Sequence, residues 1–239
     1  ENPEWFPLRI QTLIVETPTK RILVDTCVGN GKERGFRDFD GLDTPFLDDM
    51  IAAGFEPGSI DIVLCTHLHL DHVGWNTSGG TNNSPSFPKA RYVANEADVG
   101  AFKTPHDEQI FGFSYWEETI GPLEKAGVLD LLIGESTLTS EITAIPTPGH
   151  TPGHQVVLIS SQGEKAMVVG DVLHSKVQVQ EPGWCAGVDT TKNQSRRSRE
   201  DLLTRAENEG YLVAAGHFHP DQHIGKVVRL HGRRYWQAL

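Results

Sequence analysis

Apolar residues in this chain come in short runs, broken at close intervals by Gly, Pro, Asn and Ser. That pattern predicts many short strands with a few helices between them. Residues 8–15 and 21–24 flank a Thr17-Pro18-Thr19 turn and predict a hairpin. Residues 60–66, Ile-Asp-Ile-Val-Leu-Cys-Thr, read as a buried strand, and 91–94 as another. Residues 44–53 predict a helix, with Pro45 in its first turn and Gly54 past its end. A further helix starts within 95–102, and 112–132 is helical in part. The stretch 77–88, rich in Ser, Gly, Asn and Pro, is a loop.

The second half reads as sheet. Strands are expected over 141–145, 155–160 and 165–169, the last two joined by a Ser161-Gln162-Gly163-Glu164 turn. Residues 211–215 and 225–236 add more, the latter broken at His231-Gly232. Residues 198–209 form a helix whose Ser198 and Asp201 resemble a capping box and whose end is Gly210. No repeat and no linker divides the chain, so residues 1–239 are expected to form a single α/β domain.

Composition narrows the setting. A formal charge of −11 over 239 residues argues against nucleic acid or an anionic membrane as main partner. No run reaches transmembrane length and no signal-peptide pattern opens the chain. Because it begins at Glu1, a trimmed start stays open. Cys27, Cys65 and Cys185 make no CxxC pair and no disulfide framework. Cys65 lies inside an apolar strand as a small core residue, and a reduced, cytoplasmic setting is the simple expectation.

Chemistry is concentrated after the strand at 60–66. His67, His69, Asp71 and His72 place four potential ligands within six positions. Imidazole nitrogen and carboxylate oxygen converging so closely suit a divalent cation: zinc first, with iron, manganese or cobalt also compatible. A strand end is where open α/β sheets place such groups. The remaining histidines recur in the same way. Pro146-Thr147-Pro148-Gly149-His150-Thr151-Pro152-Gly153-His154 follows one strand, Gly170-Asp171-Val172-Leu173-His174 a second, and Gly216-His217 a third.

These motifs, with the Leu23-Val24-Asp25-Thr26 strand end, resemble those of the metallo-β-lactamase superfamily, over residues 21 to 219. The resemblance implies an αββα sandwich of two mixed β-sheets flanked by helices. It also implies two divalent metal ions. His67, His69 and His150 correspond to ligands of the first, Asp71, His72 and His217 to ligands of the second, and Asp171 to the carboxylate bridging both. A hydroxide held between the ions would be the nucleophile, with Asp71 steering its proton. By the same resemblance His150 is the ligand; His154 reads as a structural imidazole supporting the turn, and Asp25 as a carboxylate that holds the turn or the site from outside. His106 and His231 read as solvated surface residues.

The run from His67 to Thr77 is similar to a group of lactonases, aryl-esterases and methyl-parathion-type organophosphate hydrolases. Asp171 disfavours a true β-lactamase, and the acidic charge disfavours an RNA-processing member. Where well-studied homoserine lactone lactonases carry a tyrosine, three residues past the bridging Asp, this chain has His174. An imidazole there either donates to an oxyanion or leaving group, or buttresses Asp171. Trp75, Phe87, Trp116 and Trp184 are candidates for an apolar wall, or for plain packing. The dense basic run Arg196-Arg197-Ser198-Arg199 reads as a solvated helix face.

The expected function is hydrolysis of a lactone, aryl ester or phosphotriester. A non-catalytic metal-binding scaffold or sensor is the alternative. The partner is a small-molecule substrate; homodimerisation and the roles of His219 and His223 stay open.

Overall fold

The computed structural model describes residues 8–35, 37–78, 83–104 and 111–239. His106 lies outside the described residues. The chain forms two compact units, one of Thr12–Ile133, the other of residues 8–11 with Gly134–Leu239. None of the described helices is long and apolar enough to cross a membrane.

The first unit holds a five-stranded mixed sheet in the order β1 (Leu13–Glu16), β2 (Arg21–Val24), β3 (Ile62–Leu64), β4 (Arg91–Asn95), β5 (Leu129–Leu132). β1 and β2 are the expected antiparallel hairpin, and β2 through β5 run parallel. Parallel strands are covered on both faces, and Ile22, Leu23, Val63, Leu64 and Tyr92 are fully buried. Among the described residues the helices are α1 (Phe46–Ala52), α2 (Leu70–Val73), α3 (Glu96–Lys103), α4 (Trp116–Thr119) and α5 (Gly121–Lys125). Asn95 caps α3 by accepting the Ala97 N–H. Because β2 and β3 run side by side, Asp25 and the ligand run at 67–72 leave the sheet from the same edge.

The second unit holds a seven-stranded mixed sheet in the order β12 (Arg233–Ala238), β11 (Ile224–Leu230), β10 (Leu212–Ala214), β9 (Glu164–Val168), β8 (Gln155–Ser161), β7 (Ile142–Pro146), β6 (Ser136–Thr137). Only β9 and β10 are parallel. The turns at Gln162-Gly163 and His231-Gly232 both have positive φ, the primed geometry that matches strand twist. Two helices, α6 (Val177–Gln180) and α7 (Lys192–Glu209), complete the unit. Leu202, Leu203 and Ala206 of α7 pack with Val156, Met167 and Val213 in its core.

Several boundaries differ from expectation, each for a physical reason. The first strand starts at Leu13, not residue 8, because residues 8–11 bond elsewhere: Gln11 Nε2 donates to the Gly216 and Phe218 carbonyls, both at 2.8 Å. α7 starts at Lys192 rather than Ser198. Ser198 is no cap; its hydroxyl donates to the Pro148 carbonyl at 2.7 Å. The basic run is not wholly solvated either, since Arg199 is completely buried.

Candidate metal-binding site

In the first unit, the ligand run is fixed by the loop that follows β2. Asp25 has a positive φ of 60°, a conformation Asp tolerates better than most residues. Its Oδ1 accepts the Thr66 N–H and its Oδ2 the Thr66 hydroxyl, both at 2.7 Å. Oδ2 also takes Nδ1–H of His72 at 2.8 Å. Thr66 has spent its only hydroxyl proton on Asp25, so its oxygen accepts from His67 Nδ1 at 3.1 Å. Both rings are thereby set in the tautomer with the lone pair on Nε2, the form that ligates a cation.

The chain around these rings is laced tightly. The Thr26 N–H donates to the His72 carbonyl and the Gly74 N–H to the Cys27 carbonyl. Gly74 must be glycine: a Cβ there would lie 1.8 Å from the Val28 carbonyl. The rings of His67 and His72 lie 4.0 Å apart, centre to centre, and those of His67 and His69 4.7 Å. Phe102 and Phe111 pack edge-on against His69. Asp71 is partly exposed, 3.6 Å from His72 Nε2.

In the second unit, the ends of β7, β9 and β10 carry His150, Asp171 and His217 to one edge of the sheet. Asp171 is ringed by imidazoles. Its Oδ2 lies 3.1 Å from Nε2 of both His150 and His174, and its Oδ1 3.0 Å from Nε2 of His217. The outer nitrogens of two of these rings are spent. His150 Nδ1 donates to Asp189 Oδ1 at 2.8 Å, and His217 Nδ1 to the Arg9 carbonyl at 2.6 Å. A bare Nε2 lone pair facing a carboxylate oxygen at 3 Å is repulsive unless a proton or a cation lies between them. The donor set therefore fits a divalent cation.

Without a cation, a proton takes its place at His150. Burial presses His150 towards its neutral form, but Asp171 and Asp189 outweigh it and raise its pKa to about 9. Asp189 is held at about 2, against the effect of its burial, by His150 and Ser195. Burial draws the His174 pKa down in spite of Asp171 beside it.

His154 is turned away from ligation. Its Nε2 accepts the Asp171 N–H at 3.0 Å, and Nδ1 donates to Thr147 Oγ1 at 2.9 Å. His219 is exposed and His231 lies in the β11–β12 turn, also exposed. Of the aromatics considered for a pocket wall, Phe87 is fully buried, Trp75 and Trp116 nearly so, and Trp184 is 61% exposed. Phe87 is therefore core, and it is Phe102 and Phe111 that touch a candidate ligand. Asp189 escaped the sequence reading, because nothing in Gly187-Val188-Asp189-Thr190 marks it.

A sequence model described as the metallo-beta-lactamase superfamily matches residues 5–217. The N-acyl homoserine lactonase AttM of Rhizobium radiobacter is 29% identical over 187 residues, covering 72% of this chain and 63% of its own length. An N-acyl homoserine lactonase of a Bacillus species is 28% identical over 172 residues, covering 66% and 61%. The chain thus spans less than two thirds of the length of these curated relatives. AidC, described as a dizinc quorum-quenching lactonase and solved with the product N-hexnoyl-L-homoserine, superposes with a TM-score of 0.81 at 25% identity, covering 97% of this chain and 80% of that one. A probable metal-dependent hydrolase from Staphylococcus aureus shares the fold, with a TM-score of 0.83 at 23% identity over 97% of this chain and 82% of its own.

Proposed function

The chain belongs to the metallo-β-lactamase superfamily, and from that premise we propose that it is a metal-dependent hydrolase of a small, weakly charged lactone or related ester. Two divalent cations, zinc foremost, would be held by His67, His69 and His150, by Asp71, His72 and His217, and by Asp171 shared between them. The observation that carries this reading is the fixing of tautomers: His67, His72, His150 and His217 each commit Nδ1 to an outer partner and keep the Nε2 lone pair for a cation. Structural histidines have no need of that uniformity; His154, which spends Nε2 on a backbone N–H, shows the contrast.

Bound cations of this kind polarise an electrophilic oxygen and bring the pKa of water from about 16 towards about 7. The protein's own groups do the rest. Asp71, the partly exposed carboxylate of the run, can accept a proton from the attacking water and release it to the leaving group. His174, on the same segment as Asp171, is an imidazole able to donate to the oxyanion or leaving oxygen. The names of the relatives favour a lactone as substrate. Aryl esters and phosphotriesters, whose electrophilic centres need the same help, are the neighbouring possibilities. The acidic chain favours none of the polyanionic ones.

The test is a panel of an N-acyl homoserine lactone, a nitrophenyl ester and a nitrophenyl phosphotriester, each assayed before and after chelation and after return of Zn2+. Chelator-sensitive turnover of the lactone, restored by metal, is the expected result. No turnover of any of the three by metal-replete protein would defeat the reading.

A further inference from the structure

Arg199 is the largest fully buried side chain of the described residues, a cation with no contact with solvent. It lies on α7 in register with Leu202, Leu203 and Ala206, on the helix face that enters the core. Burying a guanidinium is costly unless every N–H finds an acceptor. Here Nε donates to the Val172 carbonyl at 2.7 Å, and Nη1 to the carbonyls of Pro182 and Trp184, both at 2.8 Å. Nη2 donates to Ser195 Oγ at 3.0 Å and lies 3.6 Å from Asp189 Oδ2. The Ser195 hydroxyl in turn donates to Asp189 Oδ2 at 2.8 Å, and Asp189 Oδ1 takes Nδ1–H of His150.

Two lines of support therefore leave one guanidinium. One runs through Ser195 and Asp189 to the ring of His150. The other holds the carbonyl of Val172, the residue after Asp171. An apolar side chain would fill this part of the core at lower cost. Its N–H groups satisfy three backbone carbonyls, and its charge lies beside the buried Asp189 carboxylate.

We propose that Arg199 is a positioning residue of the metal centre: through Ser195 and Asp189 it fixes the orientation and tautomer of His150, and through Val172 it fixes the segment bearing Asp171. The inference rests on the reading of His150 and Asp171 as ligands. Lysine cannot replace it, since one ammonium cannot serve four acceptors spread around a planar fork.

The experiment is a double-mutant cycle on metal affinity, with Co2+ as the probe. Metal-free protein is titrated with Co2+ against a competing chelator, and the visible absorption of the bound ion is recorded. Arg199→Met and Asp189→Asn should each weaken Co2+ binding about 10–100-fold, the range for groups that orient a ligand, and should shift the Co2+ spectrum alike. The double variant should lose less than the product of the two single losses, because the two residues share the line through Ser195 to His150. Should Arg199→Met not fold, Arg199→Lys takes its place, with the same loss expected. A folded Arg199 variant within twofold of wild type overturns the proposal. So does a double variant whose loss is the product of the two singles. Wild-type protein that binds no Co2+ would instead remove the metal-centre reading itself.

Discussion

His72 and Asp25 are joined at 2.8 Å, Nδ1–H to Oδ2, across the gap between two parallel strand ends. Asp25 meets that position with a left-handed backbone and also takes both donors of Thr66. One carboxylate thus sets the ring of His72 directly and that of His67 through Thr66.

Replacing Asp25 by Ala leaves the Thr66 N–H and the His72 Nδ1–H buried without an acceptor. Unpaired buried donors cost about 1–3 kcal/mol each, so the variant should unfold at lower denaturant concentration by a few kcal/mol in total. Its zinc affinity should fall about 10–100-fold. Asp25→Asn, which keeps one acceptor, should lie between. Chelator competition and urea unfolding check both; an Ala variant with undiminished affinity would show that His72 is oriented without Asp25.

The ligand run was legible in the sequence because its members are chain neighbours. Their support was not, because it is remote: Asp189 stands 39 positions from His150. Arg199 carried a signal that its charge concealed. It falls three and four positions before Leu202 and Leu203, within the apolar stripe of α7. The start of that helix was misplaced because residues 192–197 are polar throughout and show no apolar period. Residues 8–11 looked like a strand from β-propensity alone, whereas their polar groups bond to the 216–218 turn.

Two glycines in ordinary helical backbone should respond oppositely to Ala. Gly74 has φ −62°, so Ala suits the backbone, yet its Cβ would sit 1.8 Å from the Val28 carbonyl. The Val28 loop must then move, at about 3 kcal/mol or more. Gly100, inside α3, meets nothing within 4 Å, and Gly100→Ala should stabilise by about 0.5–1 kcal/mol. Paired thermal melts decide it; equal effects of the two changes would contradict the packing described around Gly74.

Glu207 gives a pH signature away from the site. Hydrogen bonds from Arg229 and Arg234 hold its carboxyl down at about 2. The folded pKa is depressed, so the stabilisation is present above the unfolded value of about 4.5 and is lost as pH falls from there towards 2. After screening at the surface it amounts to about 1 kcal/mol. Glu207→Gln should therefore be less stable than wild type at neutral pH, and the gap should close below about pH 4. A gap that does not change with pH would show that packing, not charge, is at work.

Removal of metal should destabilise as well as inactivate. A cation that binds only the folded chain adds about 2.7 kcal/mol at a hundredfold excess over its Kd. Dialysis against chelator should lower Tm, and Zn2+ should restore it together with turnover. A Tm indifferent to chelation would mean that the clustered imidazoles hold no ion in solution.

The final prediction concerns His174, whose Nε2 stands 3.1 Å from Asp171 Oδ2 with its ring stacked on that of His217. If it donates to the departing oxygen, its loss should matter in proportion to how poor that leaving group is. A nitrophenolate departs unaided, whereas the alkoxide of an opened lactone needs a proton. His174→Ala should thus leave nitrophenyl ester hydrolysis within about tenfold of wild type, and slow lactone opening by about 10²–10⁴, the usual worth of an acid–base group. His174→Tyr supplies another O–H donor and should recover part of the lactone rate. If Ala slows every substrate equally and also weakens metal binding, His174 serves Asp171 or a cation rather than the leaving group. Metal content measured on each variant separates that outcome from lost proton transfer.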